Sequence, residues 1–294
     1  MFNILYIQSG GPTTVINSSA CGVIKACKKN ADTIKKIYTC KYGFWGLLHN
    51  DMIDITHMSD ENLEKLQRTP GMAFGSSRYR IPEGDSGLKD YEKIHAVLRE
   101  HNIGIIIVNG GNGSVRASHD LSQYLQSINY DCSVVVVPKT VDNDIAYIDH
   151  APGFPSAARN MLLTLQELSH DFQCYNTPLL CIVEVMGRDT GWLAASAILL
   201  EEYGCAPDLI YVPEIPFSRE TFVADAKAVL KKKGKCIAVV AEGVKENGRY
   251  IFDLTKDAQS AYLNMGGTVA SLRSLIVDRF DCKVRAIDLG LMQR

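Results

Sequence analysis

Val134-Val135-Val136-Val137-Pro138-Lys139-Thr140-Val141-Asp142-Asn143-Asp144 is the stretch on which the reading of this chain turns. Four consecutive β-branched valines behind Cys132-Ser133 predict a strand buried on both faces of a parallel sheet. A proline ends the run, and a lysine, a threonine and two aspartates follow it. In open α/β sheets, ligands bind beyond the carboxyl ends of the strands, so this heptad stands where phosphate, metal and proton-transfer chemistry is found. Asp and Asn are also common turn residues. Taken alone, the heptad favours a site over a solvated turn only by about two to one.

Two other strand ends shift that balance. Ile4-Leu5-Tyr6-Ile7 reads as a first strand, followed by Gln8-Ser9-Gly10-Gly11-Pro12 and by Thr13 or Thr14 as the cap of a helix through Val15, Ile16, Ala20 and Ile24. Ile105-Ile106-Ile107-Val108 runs into Asn109-Gly110-Gly111-Asn112-Gly113-Ser114, and a helix with Ala117, Leu121 and Leu125 begins at once. A strand, a glycine turn and a helix N-terminus make an anion site, because bare amides and the helix dipole both favour negative charge. Between these two junctions, Thr69-Pro70-Gly71-Met72-Ala73-Phe74-Gly75-Ser76-Ser77-Arg78 offers small residues and an arginine fork suited to phosphate oxygens. None of this matches G-x-G-x-x-G or Walker A. Three strand-end sites in one half of the chain point to bound polyphosphate.

The rest of the chain continues the alternation. A glycine-punctuated aromatic loop covers residues 42–48, and helices are expected at about 88–100, from 154 through Leu168, at 193–200, 220–233 and 257–275. Strands are expected at 179–185, 208–212, 237–241 and 283–290. The third of these ends in Glu242-Gly243, and the first runs into Met186-Gly187-Arg188-Asp189-Thr190-Gly191. The fold class is therefore α/β with mostly parallel sheet.

With 294 residues, the length suggests two domains or one large α/β domain. A net charge of −2 supplies no field for nucleic acid or an anionic membrane, and no apolar run approaches a bilayer span. Nine cysteines without a C-x-x-C pair read as free thiols in a reducing cytosol, not as zinc ligands or disulfides.

In this order, the junctions resemble the phosphofructokinase family along the whole chain. The marks are Gly10-Gly11, Gly110 to Ser114, Pro138 to Asp144, Glu184 to Gly191 (E-V-M-G-R-x-x-G) and Leu289 to Arg294 (L-G-x-x-Q-R). The resemblance implies two Rossmann-like α/β/α lobes with the active site between them: a donor-phosphate lobe at 1–150 and a sugar-phosphate lobe at 151–294. It implies a homo-oligomer, dimer or tetramer, whose sugar sites include a neighbour's arginines. It also implies phosphoryl transfer to the 1-hydroxyl of fructose 6-phosphate with Mg2+. Asp142 falls where the family places its base, with Asp144, Thr140 and Arg188 beside the chemistry. Gly11, Arg78, Gly111, Gly113, Ser114 and Lys139 match donor positions. Met186, Gly187, Glu242, Arg285 and Arg294 match sugar-phosphate positions. Asn112 stands where many members have a magnesium-binding aspartate, and its amide oxygen still suits a hard cation.

Two residues bear on the donor. Lys139 resembles the pyrophosphate-using members, whereas Gly113 leaves open the room that an aspartate usually closes in them. Gly113 makes ATP the expected donor, with pyrophosphate the alternative. Leu179 and Leu291 replace polar sugar-phosphate contacts of the family, and Cys21 replaces an effector-binding arginine. The family's C-terminal return segment is also expected after Arg294, and the 294 residues do not contain it. These departures keep a second class of function in view, a catalytically weak regulatory or binding homologue.

Overall fold

Strand β1 (Phe2–Gln8) is apolar at four successive positions, and the computed structural model, which describes residues 1–77, 79–82, 84–252 and 267–294, buries all four. Leu5 and Ile7 pack with Ile94 and Leu98 of helix α4 (Asp85–Glu100) and with Leu121 and Leu125 of α5 (Asn112–Ser127). Ile4 and Tyr6 pack on the other face, with Ala20 and Ile24 of α1 (Val15–Lys29) and Leu63 of α3 (Asp60–Arg68). Side chains alternate across a strand, so covering both faces of β1 yields three layers. Each large apolar side chain fully buried this way contributes about 1.5–3 kcal/mol.

The chain divides into two units, Met1–Thr140 with Ile145–Gly153, and Val141–Asp144 with Phe154–Arg294. In the first, the sheet order is β3 (Met52–Asp54), β2 (Ile34–Cys40), β1, β4 (Ile103–Gly110), β5 (Ser133–Pro138), parallel except for the β2–β3 pair. The chain winds outward from β1 to β3 and then returns to the other side of β1, so the order reverses between β1 and β4. That reversal is the place where such sheets bind ligands. Gln8 lies opposite Asn109, and Gly110 opposite Pro138. The turns after β1, β4 and β5 therefore leave the sheet at one level.

β5 corrects an expectation. The valine run is a strand, but it lies at the sheet's edge, with Val135 48% exposed instead of buried on both faces. A β-branched run specifies a strand; its place depends on which strands pair with it, and among the described residues only β4 does.

The second unit has the order β11 (Lys283–Asp288), β6 (Leu179–Val185), β8 (Lys235–Ala241), β7 (Leu209–Tyr211), all parallel. β6 is flanked on both sides, and all seven of its residues are buried. One continuous core joins it to α6 (Phe154–Gln173), α8 (Arg219–Lys233) and α9 (Thr268–Ile276). Ser218 starts α8 by accepting the Thr221 amide at 3.3 Å. A hairpin of β9 (Lys245–Glu246) and β10 (Arg249–Tyr250) follows β8.

Smaller corrections have local causes. The stretch expected as an aromatic loop contains helix α2 (Phe44–Leu48), entered through Gly43 at φ +65°. The apolar run at 193–200 splits into α7 (Trp192–Ser196) and a 3-10 helix, Ala197–Tyr203. Of the expected last helix, residues 257–266 lie outside the described residues. β2, β3 and α3 were not anticipated. All nine cysteines are free, and no helix among the described residues is long and apolar enough to cross a membrane.

Candidate functional site

In the first unit, three strand ends converge on small residues. Gly10, at φ +86°, places its α-carbon so that an added Cβ would lie 3.5 Å from Lys139 Nζ, 3.7 Å from the Gly111 nitrogen and 3.8 Å from Ser114 Oγ. Gly110 is held closer still, since a Cβ there would meet Ser114 Oγ at 2.2 Å. At Gly111, a Cβ would come within 3.3 Å of the Lys139 carbonyl and 3.7 Å of Thr140 Cβ. Main chain, Ser114 and Lys139 thus form one surface, while at Gly113 no described residue lies within 4 Å of the virtual Cβ.

Lys139 is only 3% exposed, and its ammonium donates to the Gly11 carbonyl at 2.6 Å. Its backbone amide donates to the Gly110 carbonyl at 2.9 Å. Thr140 continues the line, its amide bound to the Pro152 carbonyl at 3.1 Å. Gly111 is the residue before α5, so the first amides of that helix border the same place, and Asn112 opens the helix in an exposed position. Thr14 precedes α1 but does not cap it with its side chain. Its own φ and ψ, −59° and −31°, are helical, and a capping hydroxyl needs extended backbone. Arg78 lies outside the described residues.

In the second unit, the ends of β6 and β8 lie side by side, with Val185 opposite Ala241. Gly187 takes φ +136°, and its carbonyl accepts the Gly243 amide at 3.1 Å. The Glu242 amide donates to the Val185 carbonyl at 2.8 Å. Asp142 is fixed through its backbone, its carbonyl accepting from Thr190 Oγ1 at 2.7 Å. Asn143, at φ +55°, turns the chain between the two aspartates. Met186 packs against the core with its side chain, and its amide donates to Gln293 Oε1 at 3.1 Å. Gln293 is buried, and it orders the loop just before Arg294. The sequence signal for it was the Q of the L-G-x-x-Q-R motif.

Glu242 has the most altered acid group of the cluster. Burial pushes its carboxyl up to about 7 from an ordinary 4.5; the negative charges of Asp142 and Glu184 act in the same direction, opposed by Arg188 and the Gly187 amide. Between those two pH values the folded protein holds a proton that the unfolded chain has released, so stability falls as pH rises through this window. Glu242→Gln removes the effect. Relative to the wild type, its unfolding free energy is expected to rise from near equality at pH 4.5 to a gain of about 1–3 kcal/mol at pH 8. Urea unfolding across that range measures it; a flat difference would mean the carboxyl is not perturbed.

Arg285 is not brought to this cluster. It is exposed on β11 opposite Cys181, the third residue of β6. At about 3.3 Å per residue, that lies well short of the strand ends where Met186, Arg188 and Glu242 stand. Leu179, opposite Lys283, is 2% exposed and belongs to the core, whereas Leu291 is 72% exposed near the last residue, Arg294.

No cluster of three His, Cys, Asp or Glu side chains among the described residues could cage a metal. Magnesium keeps most of its waters and takes one or two protein oxygens together with substrate phosphates. Asn112, exposed at the start of α5, offers one amide oxygen of that kind.

Comparison with known proteins agrees with these features. The family model described as Phosphofructokinase matches residues 3–294. The pyrophosphate–fructose 6-phosphate 1-phosphotransferase of Halomonas elongata is 38% identical over 278 residues, 93% of this chain and 66% of the relative. A sulfofructose kinase of Alkalicoccus urumqiensis is 35% identical over 98% of this chain and 72% of its own length. The crystal structure of a pyrophosphate-dependent phosphofructokinase from Marinobacter aquaeolei superposes with a TM-score of 0.85 at 34% identity, covering 100% of this chain and 69% of that one. The chain thus spans about two thirds of the length of the Halomonas relative. With both sheets, the glycine turns and the P-x-T-x-D-N-D loop in the family's order, the chain belongs to the phosphofructokinase family.

Proposed function

We propose that this protein transfers a phosphoryl group from pyrophosphate to the 1-hydroxyl of fructose 6-phosphate. The observation that carries the donor is Lys139: a buried ammonium at the glycine turns, in contact with the Gly11 carbonyl. A compact point charge held there suits a terminal phosphate oxygen, and pyrophosphate ends in one on both sides. The names of the Halomonas and Marinobacter relatives support the same donor. This replaces the expectation of ATP, which rested on Gly113. ATP stays as the second reading because the space at Gly113 is open.

In this reading, the amides at Gly11, Gly111 and Gly113, together with Ser114, cradle the donor, and Thr140 hydrogen-bonds the transferring group. Asp142 accepts the proton of the sugar hydroxyl as its oxygen attacks. Arg188 stabilises the charge that spreads over the phosphoryl oxygens, the main task in such reactions. Glu242, half protonated near neutrality, can both donate to and accept from sugar hydroxyls. Mg2+ carried on the donor phosphates would be met by Asn112 and Asp144, neutralising charge on the oxygens in transfer. Arg285, on the edge strand away from its own chain's cluster, is assigned to the sugar site of a second copy.

The test is a coupled assay for fructose 1,6-bisphosphate with pyrophosphate and with ATP, repeated with Gly113→Asp. Pyrophosphate is expected to give the higher kcat/KM in the wild type. The aspartate should cut any ATP use by about 10-fold or more, through a like charge beside the α-phosphate, while changing pyrophosphate use by about threefold or less. The name of the Alkalicoccus relative is a reason to run a sulfonate-bearing sugar as a parallel acceptor. Turnover with neither donor would sink the enzymatic reading and favour a regulatory homologue.

A further inference from the structure

Two buried amide side chains fall outside every role assigned so far. Gln8, the last residue of β1, and Asn17, in the first turn of α1, are both 0% exposed. Gln8 Nε2 donates to Asn17 Oδ1 at 2.9 Å. Gln8 also meets the Tyr6 hydroxyl, and the other bonds of the pair go to one segment more than fifty residues away. Asn17 Nδ2 donates to the Thr69 carbonyl at 2.8 Å and the Gly71 carbonyl at 3.2 Å. Asn17 Oδ1 accepts the Ala73 amide at 3.0 Å, and Gln8 Oε1 accepts the Phe74 amide at 3.1 Å.

The energetics make this more than packing. A buried amide without partners costs a few kcal/mol, and so does a buried backbone group left unpaired. Residues 69–74 are in neither helix nor sheet and are half-buried or exposed, so it is the two fully buried side chains that rely on four of the segment's backbone groups. Gln8 and Asn17 flank the Gly10-Gly11 turn in sequence, and Ser76 Oγ, just past the clamped stretch, donates to the Gly10 carbonyl at 2.8 Å. Tyr6 adds an apolar wall, its ring edge-on to Phe74 at 6.3 Å. The loop and the glycine turn are therefore tied to each other.

We propose that the Gln8–Asn17 amide pair consists of positioning residues for donor binding, holding Thr69–Ser77 against the Gly10-Gly11 turn so that the donor phosphates meet a pre-formed wall. This rests on the assignment of those glycines to the donor. Ordering a loop costs conformational entropy at every residue. A loop already ordered by buried amides spares that cost when the ligand binds. None of the residues matched to sugar-phosphate positions lies in this segment, so the pair is expected to act on the donor.

The experiment pairs calorimetric titration with hydrogen exchange on Asn17→Asp, which keeps the shape but turns an oxygen toward the Thr69 and Gly71 carbonyls. Expected are faster exchange at Ala73 and Phe74, a rise of about tenfold or more in the Kd for magnesium pyrophosphate, and a Kd for fructose 6-phosphate within about twofold of wild type. Faster exchange with unchanged pyrophosphate affinity would overturn the proposal, as would equal weakening of both ligands. Ser76→Ala, at the surface, decides the matter if Asn17→Asp does not fold. A loss of about two- to fivefold in pyrophosphate affinity supports the proposal, and no change overturns it. A wild type that binds neither pyrophosphate nor ATP would instead overturn the functional reading, and the donor role of the pair with it.

Discussion

Asp142→Asn is expected to lower kcat by about 10²–10⁴-fold while leaving the KM for the sugar phosphate within a few-fold. The substitution is isosteric, and an asparagine keeps the bond that the backbone carbonyl accepts from Thr190. What is lost is an oxygen able to take the hydroxyl proton at the moment of attack. The same change has a second signature. The Asp142 charge helps raise the Glu242 carboxyl, so removing it should draw the Glu242 midpoint down from about 7. Steady-state kinetics and a titration of Glu242 check the two effects independently. More than a tenth of the wild-type turnover would remove Asp142 from the role of base.

Gly243→Ala should be the most damaging single methyl group in the second unit. A Cβ on Gly243 would lie 1.8 Å from the Arg188 carbonyl oxygen and 2.4 Å from its carbon. Both are backbone atoms, which cannot swing aside as a flexible side chain can. The Gly187-Arg188 loop must then retreat by about 1 Å, and the Gly243 amide bond to the Gly187 carbonyl is strained with it. A destabilisation of about 3 kcal/mol or more is expected. Turnover should fall by about 100-fold, because Arg188 leaves its productive geometry. Denaturant unfolding and kinetics measure these, and a variant with wild-type stability would show that the close approach is not needed.

What could be read from the sequence was whatever rests on local pattern. The apolar run at 179–185 matched β6 to the residue, because a strand buried on both faces carries its signature in every position. The glycine turns after β1 and β4 and the heptad after β5 were legible for a similar reason: short spacing and special backbone conformations fix them. Pairing partners were not legible. Four valines looked interior, yet β5 ended at the sheet's edge. Arg285 matched a sugar-phosphate position, but only the β6–β11 register showed how far it stands from Arg188. Gln8 and Asn17 gave no signal, since their partners lie 52 to 66 residues away and are backbone atoms. Thr14 looked like a cap until its own dihedrals were known.

Gly113 has an evolutionary consequence. The second position of a helix is a poor place for glycine, which costs about 1 kcal/mol against alanine in a helix interior. An aspartate in a first turn gains from the dipole as well. Since no described residue lies within 4 Å of the virtual Cβ, packing among the described residues exerts no pressure to keep the glycine. A lineage could therefore drift between a glycine and an acidic side chain here in a single neutral or mildly stabilising step, without approaching its stability threshold.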